Sequence, residues 1–515
     1  MNYLNSLEPI KLFERDSRSE LYVDKSMLIE AVSEKMELSG QYICITRPRR
    51  FGKTMNANML TAYFTKGYDS MPVFDKLKIK GSSVYGKRQN QCNVIHIDFS
   101  MQPDFCENYR DYITNIIENL KADLLQAYPY LEGKTYTQIS RMFSDTQETF
   151  VFILDEWDSV FYEEFMKKED KIHFLKWLKG LLKDKPYVEL AYMTGVLPIA
   201  KYSSGSELNM FDEYNFMNDN VFDRYFGFSE KEVQELCEKK GTVPFEELKE
   251  WYDGYYLGNG QSLFNPRSVN KALLRGVCLN YWTETGPMNE IADCIENNVD
   301  EVREDIVKMV AGIPVEVELS GYSAAELQLD SRDEILSAMV VYGFLAYHDG
   351  KLSIPNLELM EKYQKVLSRN SMGEVKEIVD RSKEMLDATI SMNERKVAGY
   401  LEQIHDREIP FLEYNDENSM SCVITLCYLY ARKDYKIERE ARSGKGYCDY
   451  IFIPKTRSLP AIILELKYGT SSEDAIKQIR EKNYIQRVNS CNEILLVGIN
   501  YDKKTKRHTC RIERA

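Results

Sequence analysis

The stretch Arg47-Pro48-Arg49-Arg50-Phe51-Gly52-Lys53-Thr54 directly follows the apolar run Tyr42-Ile43-Cys44-Ile45. A strand, a tight loop closing on Gly-Lys-Thr and then a helix form a cradle for phosphate. Backbone N–H groups and the positive end of the helix face the anion. In that arrangement Lys53 neutralises the outer phosphates and Thr54 holds Mg²⁺. A second apolar run, Val151-Phe152-Ile153-Leu154, ends in Asp155-Glu156. Asp155 then belongs to the magnesium shell and Glu156 polarises the attacking water, so the two segments together imply a nucleoside triphosphatase that works with Mg²⁺. The loop departs from the usual pattern at one place, where Arg47, followed by Pro48, stands in the position of a glycine. Glycine is used there because left-handed backbone costs an L-residue about 1–2 kcal/mol. The cradle is therefore expected to be built differently, with Arg47, Arg49 or Arg50 reaching phosphates or a nucleic-acid backbone. For the loop alone, a Lys-Thr pair opening an ordinary amphipathic helix is an equal reading; the distant Asp-Glu pair weighs against it.

Working outward, apolar strand candidates at Tyr42–Thr46, Val94–Phe99, Thr149–Leu154 and Val188–Thr194 alternate with helical patterns around Lys53–Phe64, Glu107–Leu125 and Lys171–Leu182. That order predicts an α/β domain with a mostly parallel sheet and helices on both faces. Ligands bind at the carboxyl ends of such strands, where the loop, Asp98, Asp155, Glu156 and Thr194 fall. Thr194 is a candidate for bonding the nucleophilic water or the terminal phosphate, and equally for a turn residue before Gly195. From Phe222 to about Arg369 the pattern becomes helix-rich. Ser229 with Glu232 reads as an N-cap, and Ala338–Tyr347, Gly350 and Leu352–Ile354 read as a helix followed by a short β-wing. Ser371 to Ile404 reads as amphipathic connector helices.

The length of 515 residues requires two to four domains, and 43% hydrophobic with 29% charged residues is the balance of a soluble globular protein. No leader pattern opens the chain and no apolar run approaches the roughly 20 residues of a membrane span, so a cytoplasmic location without membrane contact is expected. The 11 cysteines lack Cys-x-x-Cys spacing, which argues against a disulfide scaffold or a zinc ribbon. Net charge is −14, yet residues 431–515 carry 19 Lys+Arg against 11 Asp+Glu. A basic C-terminal segment on an acidic body suggests a polyanion partner for that segment, although a solvated tail has the same composition.

That segment holds a second constellation. A helix is expected from Glu417 through Tyr430, then strands at Lys436–Arg442, Tyr447–Ile453 and Ala461–Lys467. Alternation places Ile463, Glu465 and Lys467 on one face. A Glu and a Lys in so apolar a run are costly to bury unless they pair or bind something. Asp449 on the adjacent strand brings a second carboxylate, and a divalent cation relieves the repulsion between the two. Mg²⁺ held by Asp449 and Glu465, with Lys467 orienting or helping to deprotonate water, is a phosphodiester-hydrolysing site. Gln478 and Glu417 are accessory candidates. A cross-strand salt bridge explains Glu465 and Lys467 alone, and a favourable helix-end charge explains Glu417 equally well.

These residues resemble a bacterial family that joins an AAA-ATPase-like domain to a C-terminal PD-(D/E)xK nuclease-like domain. The likeness runs through Tyr22-Val23-Asp24-Lys25, Arg47 to Thr54, Asp155-Glu156, Thr194-Gly195, Trp251-Tyr252-Asp253-Gly254-Tyr255 and Asn265-Pro266. It continues through Gly446, Asp449, Glu465, Lys467, Gln478 and Tyr484. It implies that Arg47 in place of glycine is a family trait. One departure is that Tyr447-Cys448 precede Asp449 where the pattern favours a basic residue. The expected layout is an AAA-like P-loop domain at 1–222, a helical, winged-helix-like region at 223–369, a connector at 370–404 and a restriction-endonuclease-like α/β domain at 405–515. The resulting expectation is an ATP-hydrolysing protein whose C-terminal domain cleaves DNA or RNA with Mg²⁺. Its class is compatible with a homo-oligomer that shares an arginine between subunits. The alternatives are a nucleotide-gated switch or scaffold that binds nucleic acid or a partner without cutting, and an NTPase motor with a vestigial tail.

Overall fold

The computed structural model describes residues 1–36, 38–199, 208–215, 219–282, 295, 297, 301–317, 331–369, 374–405, 417–443, 446–502 and 504–515. They divide into two compact units, Met1–Ile291 with Val317–Leu359, and Ala292–Glu316 with Met360–Ala515.

The first unit is organised by strands β1 (Tyr42–Thr46), β2 (Asn93–Asp98), β3 (Phe150–Asp155), β4 (Val188–Gly195) and β5 (Asp212–Tyr214) in the order β2-β3-β4-β1-β5. All pairings are parallel. The expected parallel sheet is therefore present. Its strands are near-continuous apolar runs because both faces are covered. Cys44, Phe152, Leu154, Ala191 and Met193 pack into the core on one face. Ile43, Ile45, Val151, Ile153 and Tyr192, one residue out of phase, pack on the other. Helix α1 (Lys53–Phe64) leaves β1 through the phosphate-loop sequence and is buried along most of its length, the polar Asn56, Asn58 and Thr61 included. Register aligns Thr46 with Gly195, Ile45 with Thr194 and Asp98 with Asp155, so these side chains share one edge of the sheet.

Beyond the sheet, helices at Glu230–Lys240, Phe245–Tyr252 and Pro266–Arg275 (α2) form a small bundle. Ser229 caps the first of them in a reciprocal capping box with Glu232. A helix at Arg332–Val341 precedes an antiparallel hairpin, Ala346–His348 with Lys351–Ser353. Its turn residues Asp349 and Gly350 both take positive φ, the conformation for which Asp-Gly is selected.

The second unit contains helices at Glu374–Ile390 and Glu394–His405, where amphipathic helices were expected. A helix at Glu417–Cys427 leads into a five-stranded sheet made of β6 (Tyr435–Ser443), β7 (Gly446–Pro454), β8 (Ala461–Tyr468), β9 (Ile494–Asp502) and β10 (Arg507–Arg514), in that spatial order. Only β8 and β9 run parallel, joined across helix α3 (Ser472–Glu481). The other neighbours are antiparallel. Among the described residues, no helix is long and apolar enough to cross a membrane.

Candidate active sites

Lys53 sits at the first position of α1, immediately after Gly52, whose φ of +92° is open to glycine without strain. Its ammonium is buried and donates to the carbonyls of Arg47 at 3.1 Å and Pro48 at 3.2 Å. Glu156 Oε1 lies 3.9 Å away. Glu156 itself takes φ +51°, a left-handed conformation that swings its side chain off the end of β3 towards the loop. Asp155 is fully buried, accepts a hydrogen bond from Thr194 Oγ1, and has Thr54 nearby. Burial first, then the charges of Glu156 and Asp98, push the Asp155 carboxyl above its ordinary range. A carboxyl crowded in this way, with a threonine hydroxyl alongside, is a donor set suited to a divalent cation, which would lower its proton affinity. Asp158 fixes the neighbouring loop by accepting from the amides of Val196 and Leu197. A Cβ on Gly195 would meet Trp157 Cδ1 at 2.4 Å, so glycine is needed for β4 to close on that turn.

The phosphate loop differs from the expectation at its arginines. Arg47 does not reach towards the cradle. Its guanidinium is buried, ion-paired with Asp219, and donates to the carbonyls of Thr46 and Tyr214, both at 2.8 Å. Its backbone is not left-handed; the positive φ falls on Arg50 at +73°. The glycine requirement has thus shifted three residues along the loop. Arg50 donates to the carbonyl of Tyr281 at 2.7 Å, and Arg49 lies over the Tyr162 ring at 5.9 Å. Pro48 packs where a Cβ on Gly343 would come within 2.8 Å of it, and Phe51 meets Tyr255 edge-on.

A cavity of about 280 Å³ adjoins the start of α1 and was not foreseen from the sequence. Tyr22, Val23, Phe51, Tyr225, Phe228 and Asn270 line it, together with Gly52. These residues come from four distant segments, and the only signal in the chain is the aromatic character of Tyr22, Phe51, Tyr225 and Phe228. Its volume is at the small end of ligand pockets, which begin near 300 Å³.

In the second unit, register pairs Tyr450 with Leu464, so Asp449 and Glu465 follow at the next positions of β7 and β8. Asp449 Oδ2 accepts from the Leu466 amide at 2.6 Å, and the Asp449 amide faces Glu465 Oε2 at 3.4 Å. Glu465 is buried. Its Oε1 accepts from Lys467 Nζ at 3.1 Å and from Gln478 on α3. Burial and, second, the Asp449 charge push the Glu465 carboxyl up to about 7. Tyr484 donates to the Tyr447 carbonyl at 2.6 Å and stands 3.1 Å from where a Cβ on Gly446 would lie, which ties those landmarks to the same place. Asp449, Glu465, Lys467 and Gln478 are therefore brought together. The helix carrying Glu417 is present, but the Glu417 side chain lies outside the described residues. Among the described residues no group of three or more acidic, His or Cys side chains gathers as a metal site. Two carboxylates suffice for Mg²⁺, which keeps several waters, so the donor set fits that ion.

Residues 10–204 match the family model described as a predicted AAA-ATPase, and residues 415–510 match that of the PD-(D/E)XK nuclease superfamily. No curated protein matches the chain. Among solved structures, a Walker-type ATPase of Pyrococcus abyssi is similar at 14% identity and a TM-score of 0.32, over 66% of this chain and 94% of that one. The ORC2 protein of Aeropyrum pernix, in ADPNP–ADP complexes, is similar at 11% identity and a TM-score of 0.31, over 68% and 97%. A STAND signal-transduction ATPase with a tetratricopeptide-repeat sensor from Pyrococcus horikoshii is similar at 15% identity and a TM-score of 0.25; 81% of this chain spans 53% of it. Each candidate site falls inside one matched segment: the chain joins an AAA-ATPase-like segment to a PD-(D/E)XK nuclease-superfamily segment.

Proposed function

We propose that the first unit binds and hydrolyses ATP, and that the second cleaves nucleic acid with a divalent metal. The observation that carries the reading is the meeting of Lys53, Thr54, Asp155, Glu156 and Thr194 at one edge of the parallel sheet, beside a cavity of base size. In this reading the amides at the start of α1 take the phosphates, and Lys53 exchanges its loop carbonyls for their oxygens. Glu156 orients the attacking water and accepts its proton, while Thr194 bonds the terminal phosphate or that water. In the second unit Asp449 and Glu465 hold the metal, and Lys467 and Gln478 orient the attacking water. Mg²⁺, when bound at either site, neutralises phosphate oxygens and lowers the pKa of water. The functional division proposed is 1–222 for nucleotide, 223–369 and 370–404 for relay, and 405–515 for nucleic acid. A cytoplasmic, homo-oligomeric protein is part of the same proposal.

A second reading, a nucleotide-gated switch that binds nucleic acid without cutting, is favoured by one observation: Lys467 and Gln478 already occupy Glu465 Oε1. The test is to incubate the full chain with DNA and with RNA, Mg²⁺ or Mn²⁺, with and without ATP, alongside Glu465→Ala. Cutting lost in that variant supports the nuclease. Metal-independent binding without cutting supports the switch.

A further inference from the structure

The second candidate site carries an aromatic group for which the cutting chemistry has no use. Tyr447 stands two residues before Asp449 on β7 and is 66% exposed. Among the described residues of the second unit it is the only exposed large hydrophobic side chain. Singly exposed apolar residues are ordinary on protein surfaces. What sets this one apart is its tie to the carboxylates. The Tyr447 carbonyl accepts from Tyr484 Oη at 2.6 Å, and Gln478 Nε2 donates to that same Oη at 3.4 Å as well as to Glu465 Oε1. The backbone under the ring is thus fixed to the site by three hydrogen bonds, while the ring itself meets no other ring among the described residues. An exposed cation lies alongside. Lys482 Cδ comes 3.7 Å from where a Cβ on Gly446, the residue before Tyr447, would stand. Nearby Arg487 is ion-paired with Glu438 at 2.9 Å, whereas Lys482 has no ion-pair partner among the described residues.

Resting on the nuclease reading above, we infer that Tyr447 is a base-stacking platform and that the second site takes single-stranded nucleic acid. Within a duplex the faces of each base are covered by its neighbours, and a protein meets only base edges and backbone. A fixed, exposed aromatic ring finds its complement in an unpaired base, whose face is free. Lys482 then takes a phosphate of the same strand, which is the pairing of cation and ring that single-strand binding uses. The position is one where the nuclease-like pattern favours a basic residue, a group that grips the backbone of either form. With tyrosine there, a contact indifferent to strandedness is replaced by one that selects for it.

The test follows fluorescence anisotropy of end-labelled probes with the full chain, with Ca²⁺ in place of Mg²⁺ so that binding is read apart from cutting. The probes are an oligothymidine strand longer than the roughly 4–16 nucleotides that such grooves cover, a duplex of equal length, and an abasic strand that offers backbone without bases. The wild type is expected to bind oligothymidine about 10-fold tighter than either of the others, or about 1.4 kcal/mol. Tyr447→Ala is expected to bind oligothymidine no better than the abasic strand, and Tyr447→Trp to restore the preference. Equal affinity of all three proteins for the abasic strand reports an intact fold, and the comparison within the wild type needs no variant. A wild type that binds duplex as tightly as oligothymidine overturns the assignment while leaving nucleic-acid binding standing. Full preference kept by Tyr447→Ala, or equal loss on every probe, does the same. A wild type that binds none of the probes overturns the nuclease reading itself, and the assignment with it.

Discussion

Arg47 and Arg50 exchange the roles their positions suggest. The arginine in the glycine position is a core residue, and the left-handed backbone falls on an arginine that grips the Tyr281 carbonyl. Arg47→Ala would leave Asp219 buried and unpaired, so it is expected to lower stability by about 3–5 kcal/mol in denaturant titration rather than to weaken phosphate contacts selectively. Glu156→Gln keeps the shape of the site and removes the proton acceptor. The expected result is a fall of about 10²–10⁴ in ATP turnover with ATP affinity retained, whereas Lys53→Ala loses the affinity itself. A third residue acts from behind. Glu358 is fully buried and accepts from the amides of Tyr281 and Trp282, the segment to which Arg50 is tied. Burial pushes its carboxyl from 4.5 up to about 7. Below about pH 4.5 both folded and unfolded chains hold this proton. Between the two values only the folded chain does, so its contribution to stability falls as pH rises through that window. Glu358→Gln can keep the same acceptors and carries no proton to lose. Its stability relative to the wild type should therefore rise by up to about 3 kcal/mol between pH 5 and 8, followed by urea unfolding at a series of pH values.

Among the elements, Gly498 shows how a residue without chemistry sets a site. It lies in β9 under α3, where a Cβ would come 2.2 Å from the Ser472 carbonyl oxygen and 2.9 Å from Ala475 Cβ. The helix can lie this close only because the glycine is there, and it carries Gln478 to Glu465. Gly498→Ala is expected to cost about 1–3 kcal/mol by overpacking. It should also reduce metal-dependent cutting while ATP turnover stays at the wild-type rate, measured on one preparation by thermal melting and both assays. Such contacts are illegible in a sequence. The buried strands β1 to β4 and β8 were legible because two-sided burial writes them as largely apolar runs, and the β-wing because Gly350 marks its turn, where the backbone takes positive φ. The strand β5 was not, being three residues long and polar at its start. The cavity beside α1 was hidden for another reason. Tyr22, Phe51, Tyr225 and Asn270 each have an ordinary local explanation, and only the tertiary fold makes them neighbours. Arg47 misled because a charged residue in a phosphate loop suggests an anion, and its buried partner Asp219 is far along the chain.

For the molecule as a whole, the question is whether its two acidic sites work independently. The net charge of −14 coexists with a C-terminal segment, residues 431–515, in which basic residues outnumber acidic ones by 19 to 11. A polyanion would thus be repelled by one part of the chain and attracted by the other, and its binding should weaken steeply with salt. The two sites lie in different compact units and share no residue. Removing one therefore leaves the other's donors in place. Glu465→Ala should abolish cutting and leave ATP turnover in the absence of nucleic acid unchanged. Lys53→Ala divides the remaining possibilities. If nucleotide state is relayed to the second unit, cutting by Lys53→Ala becomes insensitive to ATP while the wild type responds to it. If the units are merely tethered, ATP leaves cutting by both proteins unchanged. A gel assay over a range of ATP concentrations separates these outcomes. Persistent ATP sensitivity in Lys53→Ala would count against the phosphate loop as the origin of the signal, because Lys53 is the cation expected to take the terminal phosphates there.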